Sequence, residues 1–164
     1  LAFKPNTDDM RDSPTIEIIQ ALQRAGARIR AYDPAAMDNA RHIFKDVDYC
    51  DDVYAVAEGA DVLVVATEWN QFRSIDLHRV KQSMRSPVVV DMRNIYDPQR
   101  MRELGFTYDS VGRPGGDRGA ERAVRLKQID PGPRAVFVFL RGAAADAAGA
   151  DDDAVADYRH AALT

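Results

Sequence analysis

The chain has 164 residues, 46% hydrophobic and 29% charged, with 22 Lys+Arg against 26 Asp+Glu. That size and composition suit one soluble domain. They exclude wholesale disorder, a collagen-like chain and a membrane-spanning one, because no run approaches the roughly 18 apolar residues a spanning helix needs. A net charge of -4 supplies no basic field for nucleic acid, and the single Cys50 allows neither an internal disulfide nor a CxxC metal pair.

A reducing, cytoplasmic setting is expected, since Leu-Ala-Phe-Lys-Pro-Asn at the start has no charged leader or apolar core. The chain begins at Leu1 without Met, and its apolar stub runs straight into Lys4-Pro5. That pattern reads as a strand entered halfway, so a fragment is expected. The composition changes near Pro114: residues 1–114 hold 15 Lys+Arg and 18 Asp+Glu but only 4 of the 10 glycines.

In chain order, Ser13-Pro14 predicts a helix start, with Ser capping and Pro suited to the first turn. Ile18, Ile19, Leu22 and Ala25 supply its apolar stripe and Gly26 its stop. A strand over 28–32 ends at Asp33-Pro34, a helix covers 35–43, and a short strand covers 47–49. Asp51 or Asp52 caps a helix carrying Val53, Val56 and Ala57. The strand over 62–66 is apolar on both faces, as in a parallel sheet covered on each side. Asp76 caps a helix with Leu77, Val80 and Met84, closed by Ser86-Pro87. A second doubly buried strand spans 88–90. Asp97-Pro98 opens a helix with Met101 and Leu104, closed by Gly105, and a last strand spans 106–108. Beyond residue 114, a strand over 135–140 and a short helix over 154–163 are the only readable elements in low-complexity sequence.

This order predicts an α/β fold built on an open, mainly parallel, doubly wound sheet with helices on both faces, followed by an irregular tail. Such sheets bind ligands beyond the carboxyl ends of their strands. Lys4 and Arg11 lie beside a helix start, where a phosphate or carboxylate is favoured. Equally, they can pair with Asp8, Asp9 and Asp12 on the surface. Asp33 stands where dinucleotide-binding folds place a ribose acid. No GxGxxG precedes it, however, and a turn-forming Asp-Pro is the simpler reading. Arg93 in Asp91-Met92-Arg93-Asn94 can take a phosphate or carboxylate in a two-pronged contact, or pair with a neighbouring loop acid. Trp69 at the end of another strand reads chiefly as a packing anchor. Cys50 is followed by two acids, a poor setting for a thiolate, and a buried structural role is expected. His42, His78 and His160 show no metal-ligand spacing and read as surface residues, so no metal site is expected.

The same loops resemble the C-terminal domain of the UDP-glucose and GDP-mannose dehydrogenase family. The likeness rests on Leu-Ala-Phe-Lys-Pro-Asn-Thr-Asp-Asp-Met-Arg-Asp-Ser-Pro (1–14), Tyr32-Asp33-Pro34, Ala66-Thr67-Glu68-Trp69-Asn70-Gln71-Phe72 and Val90-Asp91-Met92-Arg93-Asn94. It implies a Rossmann-like, UDP-sugar-binding domain over residues 1–114 with a truncated first strand. The parent enzyme it implies oxidises UDP-glucose to UDP-glucuronate in two NAD-linked steps through a cysteine adduct. NAD would be bound mainly by an N-terminal domain absent from this chain, and a central helical segment, also absent, would form a homodimer or larger assembly.

By position, Phe3, Lys4 and Arg93 match the family's substrate contacts, and Arg11 matches an arginine that reaches NAD across a domain interface. Cys50 does not match the family nucleophile, so no catalytic residue is expected here and the chain alone is expected to be inactive. Nucleic acid and membranes are not expected partners. From residue 115 on no family pattern is recognised; the Ala/Gly/Arg/Asp bias there fits an unusual extension or an out-of-frame translation. The alternatives are another UDP- or GDP-sugar dehydrogenase of the family, a stand-alone nucleotide- or partner-binding module, and a receiver-like signalling domain. The last needs a strand-end phospho-acceptor Asp that is not evident.

Overall fold

A computed structural model describes residues 1–2, 4–111 and 113, and the backbone of Val136–Phe137. Twelve elements are described along the chain: α1 (Pro14–Arg24), β1 (Ile29–Ala31), α2 (Met37–Ile43), β2 (Val47–Tyr49), α3 (Val53–Ala57), β3 (Val62–Val65), α4 (Asn70–Arg73), α5 (Leu77–Ser83), β4 (Val88–Asp91), α6 (Pro98–Glu103), β5 (Thr107–Ser110) and β6 (Val136–Phe137). The six strands form one open sheet in the order β2-β1-β6-β3-β4-β5. Every pairing in it is parallel. An open, all-parallel sheet wound to both sides of its centre is the predicted architecture.

The core explains why these segments become strands. All four residues of β3 are buried, and its neighbour β4 is buried at Val88, Val89 and Asp91. A strand buried on both faces must be covered on both, which the intervening helices do with Ile18, Ile19, Val56, Val80 and Met101. Register follows residue by residue, Val62 opposite Val88 through Val65 opposite Asp91. Three predicted caps hold. Asp52 accepts from the amides of Tyr54 and Ala55, Asp76 from those of His78 and Arg79, and Asp97 from that of Arg100. After α6, Gly105 takes φ +79°, the left-handed geometry that ends a helix without steric cost.

Several expectations need correction. Ser13 precedes α1 but does not cap it; its hydroxyl donates to the Leu1 carbonyl at 2.9 Å, because the buried chain start sits within reach. Ala25 is exposed and lies past the end of α1. α2 starts at Met37 rather than at residue 35, since Asp33 holds residues 35 and 36 in a turn. β5 runs from 107 to 110 rather than from 106 to 108. α4 was not anticipated; four residues are too few to show helical periodicity.

The apolar start does not form a strand. Leu1 and Ala2 lie buried at the carboxyl edge of the sheet. The strand between β1 and β3 is β6, with Ile29 opposite Val136, Arg30 opposite Phe137 and Leu63 opposite Phe137. The strand expected over 135–140 is thus present as Val136–Phe137 and stands in the middle of the sheet. Phe3, His160 and the helix expected over 154–163 lie outside the described residues.

Candidate functional site at the carboxyl edge of the sheet

Three short connections, leaving the carboxyl ends of β1, β3 and β4, build one edge together with the buried residues Leu1 and Ala2. After β1, Asp33 is fully buried. Its Oδ1 accepts from the amides of Ala35 and Ala36 at 3.0 and 2.9 Å, and its Oδ2 from the backbone nitrogens of Leu1 and Ala2 at 2.7 and 3.1 Å. Four donors on two oxygens fill the carboxylate's capacity. Asp33 is therefore the turn-forming residue of the simpler reading.

After β3, the Thr67 hydroxyl donates to the Ala2 carbonyl at 2.8 Å, fixing the start of the chain from the other side. Glu68 and Trp69 follow. Trp69 packs against the core, and its indole N–H is buried without a partner among the described residues. After β4, the buried Asp91 carboxylate is the organiser. Oδ1 accepts from the Arg93 amide at 3.0 Å, and Oδ2 accepts from the Tyr96 amide at 3.0 Å and the Tyr108 hydroxyl at 2.8 Å. Asn94 takes φ +56°. Arg113 ties the loop down by donating to the carbonyls of Tyr96 and Asn94 at 3.0 and 3.1 Å.

The predicted site residues separate into two groups. Arg93 stands on the braced loop after β4, and its guanidinium meets the Glu68 carboxylate at 2.7 Å. The pair with a neighbouring loop acid, one of the two readings open for Arg93, is thus present. Lys4 is exposed, two residues beyond the buried Leu1–Ala2 anchor on the same edge. Arg11 lies apart from the Arg93 cluster's partners, on an open groove lined by Thr7, Asp9, Asn39, His42 and Ile43. Its side chain is 87% exposed and meets Asp9 through two nitrogens at 2.9 and 2.8 Å. The Arg11 guanidinium holds the Asp9 carboxyl down at about 2.

Cys50 is half-buried rather than buried. Burial pushes its thiol pKa up, and Asp48, Asp51 and Asp52 add to the rise against the opposing pull of Arg30. His42 and His78 are exposed. Glu68, Arg73 and Tyr108 belong to the edge but were not singled out from sequence. Glu68 follows β3 and Arg93 follows β4, and the two come together because those strands are neighbours, an order the sequence pattern does not reveal.

The fold and this edge define a class: a doubly wound α/β domain of the nucleotide-binding kind, with its polar and basic loops gathered beyond the carboxyl ends of the strands. The comparisons narrow it. Residues 1–98 match the UDP-glucose/GDP-mannose dehydrogenase family, UDP binding domain, and the chain belongs to that family. It is 54% identical over 114 residues to a UDP-glucose 6-dehydrogenase of Rhizobium meliloti, a match covering 70% of this chain and 26% of the relative. It is 48% identical over 120 residues to a UDP-glucose 6-dehydrogenase of Pseudomonas aeruginosa, covering 70% and 26%. It is 42% identical over 122 residues to the UDP-glucose 6-dehydrogenase TuaD of Bacillus subtilis, covering 74% and 26%. The chain thus spans about a quarter of the length of the curated relatives it matches. No helix of the described residues is long and apolar enough to cross a membrane.

Proposed function

We propose that residues 1–114 are the UDP-binding, C-terminal part of an NAD-dependent dehydrogenase that oxidises UDP-glucose to UDP-glucuronate in the cytoplasm. The observation that carries this reading is Arg93, held by a braced loop at the carboxyl edge of a chain 54% identical to a UDP-glucose 6-dehydrogenase. A guanidinium there grips an anion through two parallel N–H donors. Lys4, exposed on the same edge, adds a second cation. Phe3 is assigned to the uridine-diphosphate sugar with them, on the family resemblance.

The described residues do not fit the main site for NAD. Asp33, the strand-end acid placed for a ribose, already accepts from four donors, and the loop from Lys4 to Ser13 holds no glycine to admit a pyrophosphate against bare backbone. NAD is therefore assigned mainly to residues outside this chain, as is any dimer-forming segment. Arg11, exposed beyond its Asp9 partner, is the residue assigned to reach NAD from this side. The chain's single thiol, with its raised pKa, supplies no activated nucleophile.

Titration calorimetry of the purified chain with UDP tests the reading, with ADP as the control for the base. Saturable UDP binding that weakens at least tenfold on Arg93→Ala and on Lys4→Ala is expected. Equal affinity for ADP and UDP, or binding indifferent to both substitutions, contradicts it.

A further inference from the structure

Glu68 and Arg93 leave adjacent strands, and the Glu68 Oε1 to Arg93 Nη2 distance is 2.7 Å. The second carboxylate oxygen faces Arg73 Nη2 at 3.9 Å. Arg73 also donates to the Ile95 carbonyl at 3.3 Å, which keeps it beside the Arg93 loop. The Glu68, Arg93 and Arg73 side chains are 37%, 38% and 48% exposed, so a ligand in solution can reach all three.

One carboxylate set between two guanidiniums leaves an excess positive charge at the edge. It also presents the same acceptor geometry as two oxygens of a phosphate group. The Arg93 backbone is held independently, by Asp91 and by Arg113 through Asn94. The side chain can therefore change partners while the loop stays in place. An exposed ion pair is weak, so the exchange has a low cost.

We propose that Glu68 is a built-in counter-anion for Arg93. It occupies the guanidinium in the ligand-free chain and yields it, with Arg73 beside it, to the incoming diphosphate. Glu68 is then a positioning residue that acts through Arg93 and sets how tightly the nucleotide is held. This rests on the reading that Arg93 contacts the diphosphate.

The test is calorimetric titration of the full 164-residue chain with UDP, in wild type, Glu68→Gln, Arg93→Ala and the double variant, each confirmed folded by its thermal transition. Glu68→Gln keeps the shape and removes the competing charge. UDP is expected to bind it about two- to fivefold more tightly than wild type, the range an exposed ion pair is worth. The gain is expected to shrink in the Arg93→Ala background, where only Arg73 remains to be released and where a merely structural Glu68 would have the same effect as before. UDP binding that Glu68→Gln leaves unchanged or weakens, or a gain undiminished in Arg93→Ala, overturns the role of Glu68 and leaves the UDP reading standing. Absence of UDP binding by every variant contradicts both readings together.

Discussion

Asp91 makes a heavy local demand. Its carboxylate is fully buried, and no cation in contact with it balances the charge among the described residues, so it depends on hydrogen bonds from Arg93, Tyr96 and Tyr108. Tyr108→Phe removes the one side-chain donor and leaves a charged oxygen short of a partner. A loss of about 1.5–3 kcal/mol in urea-unfolding stability is expected; no loss would mean that the bond is not formed in solution. The same network fixes a pH response. Burial first, then the Asp91 charge, pushes the Tyr96 phenol up; burial, the hydrogen bond to Asp91 and its charge push Tyr108 up. In the unfolded chain both revert to the ordinary value of 10.0. Below that value both phenols are neutral in both states and the stability is fully present. As pH rises through it, the unfolded chain sheds protons that the folded chain retains, and stability falls. The urea midpoint should therefore drop between about pH 9 and about pH 11, less steeply in Tyr108→Phe; an unchanged midpoint would contradict the buried-phenol account. The sequence marks Asp91 and Arg93 as residues at a ligand edge. It does not reveal Tyr108, because that partner lies 17 residues away and arrives only through the β4–β5 pairing.

At the scale of elements, helix starts show what local chemistry decides and where it is overruled. Asp52, Asp76 and Asp97 cap as their sequences predict, because an acid before an apolar helical stripe needs only its own next turn. Ser13 has the same local credentials, yet its hydroxyl is taken by the Leu1 carbonyl, a tertiary partner 12 residues earlier. Asp76→Ala and Ser13→Ala should therefore differ. Asp76→Ala is expected to cost about 1 kcal/mol and to speed hydrogen exchange at the His78 and Arg79 amides. Ser13→Ala should leave exchange in the first turn of α1 unchanged while lowering stability through the loosened chain start. Faster exchange at the first-turn amides of α1 in Ser13→Ala would mean that Ser13 caps after all.

At the scale of the whole molecule, the doubly wound architecture is legible because β3 and β4 are apolar on both faces and separated by helical stripes. Which segment fills the centre is not legible. The slot between β1 and β3 presents two rows of backbone groups that must be paired in the interior. Residues 1–3 and 135–140 both have the apolar pattern to enter it. Pairing is non-local, so periodicity cannot choose between them; the structure places Val136–Phe137 there and keeps Leu1 and Ala2 at the edge. The candidate site is legible in sequence at Lys4 and Arg93, because strand-end loops in such sheets are where a ligand is expected. It was not legible in Glu68, whose meaning depends on strand order. The proposed UDP site is the set of loops at the carboxyl edge. Amide chemical-shift mapping of the 15N-labelled chain during a UDP titration tests it. Saturable shifts confined to Lys4, Thr67 to Trp69 and Asp91 to Asn94 are the predicted result. Shifts centred on the Arg11 groove or the opposite edge of the sheet, or none at saturating UDP, would contradict it.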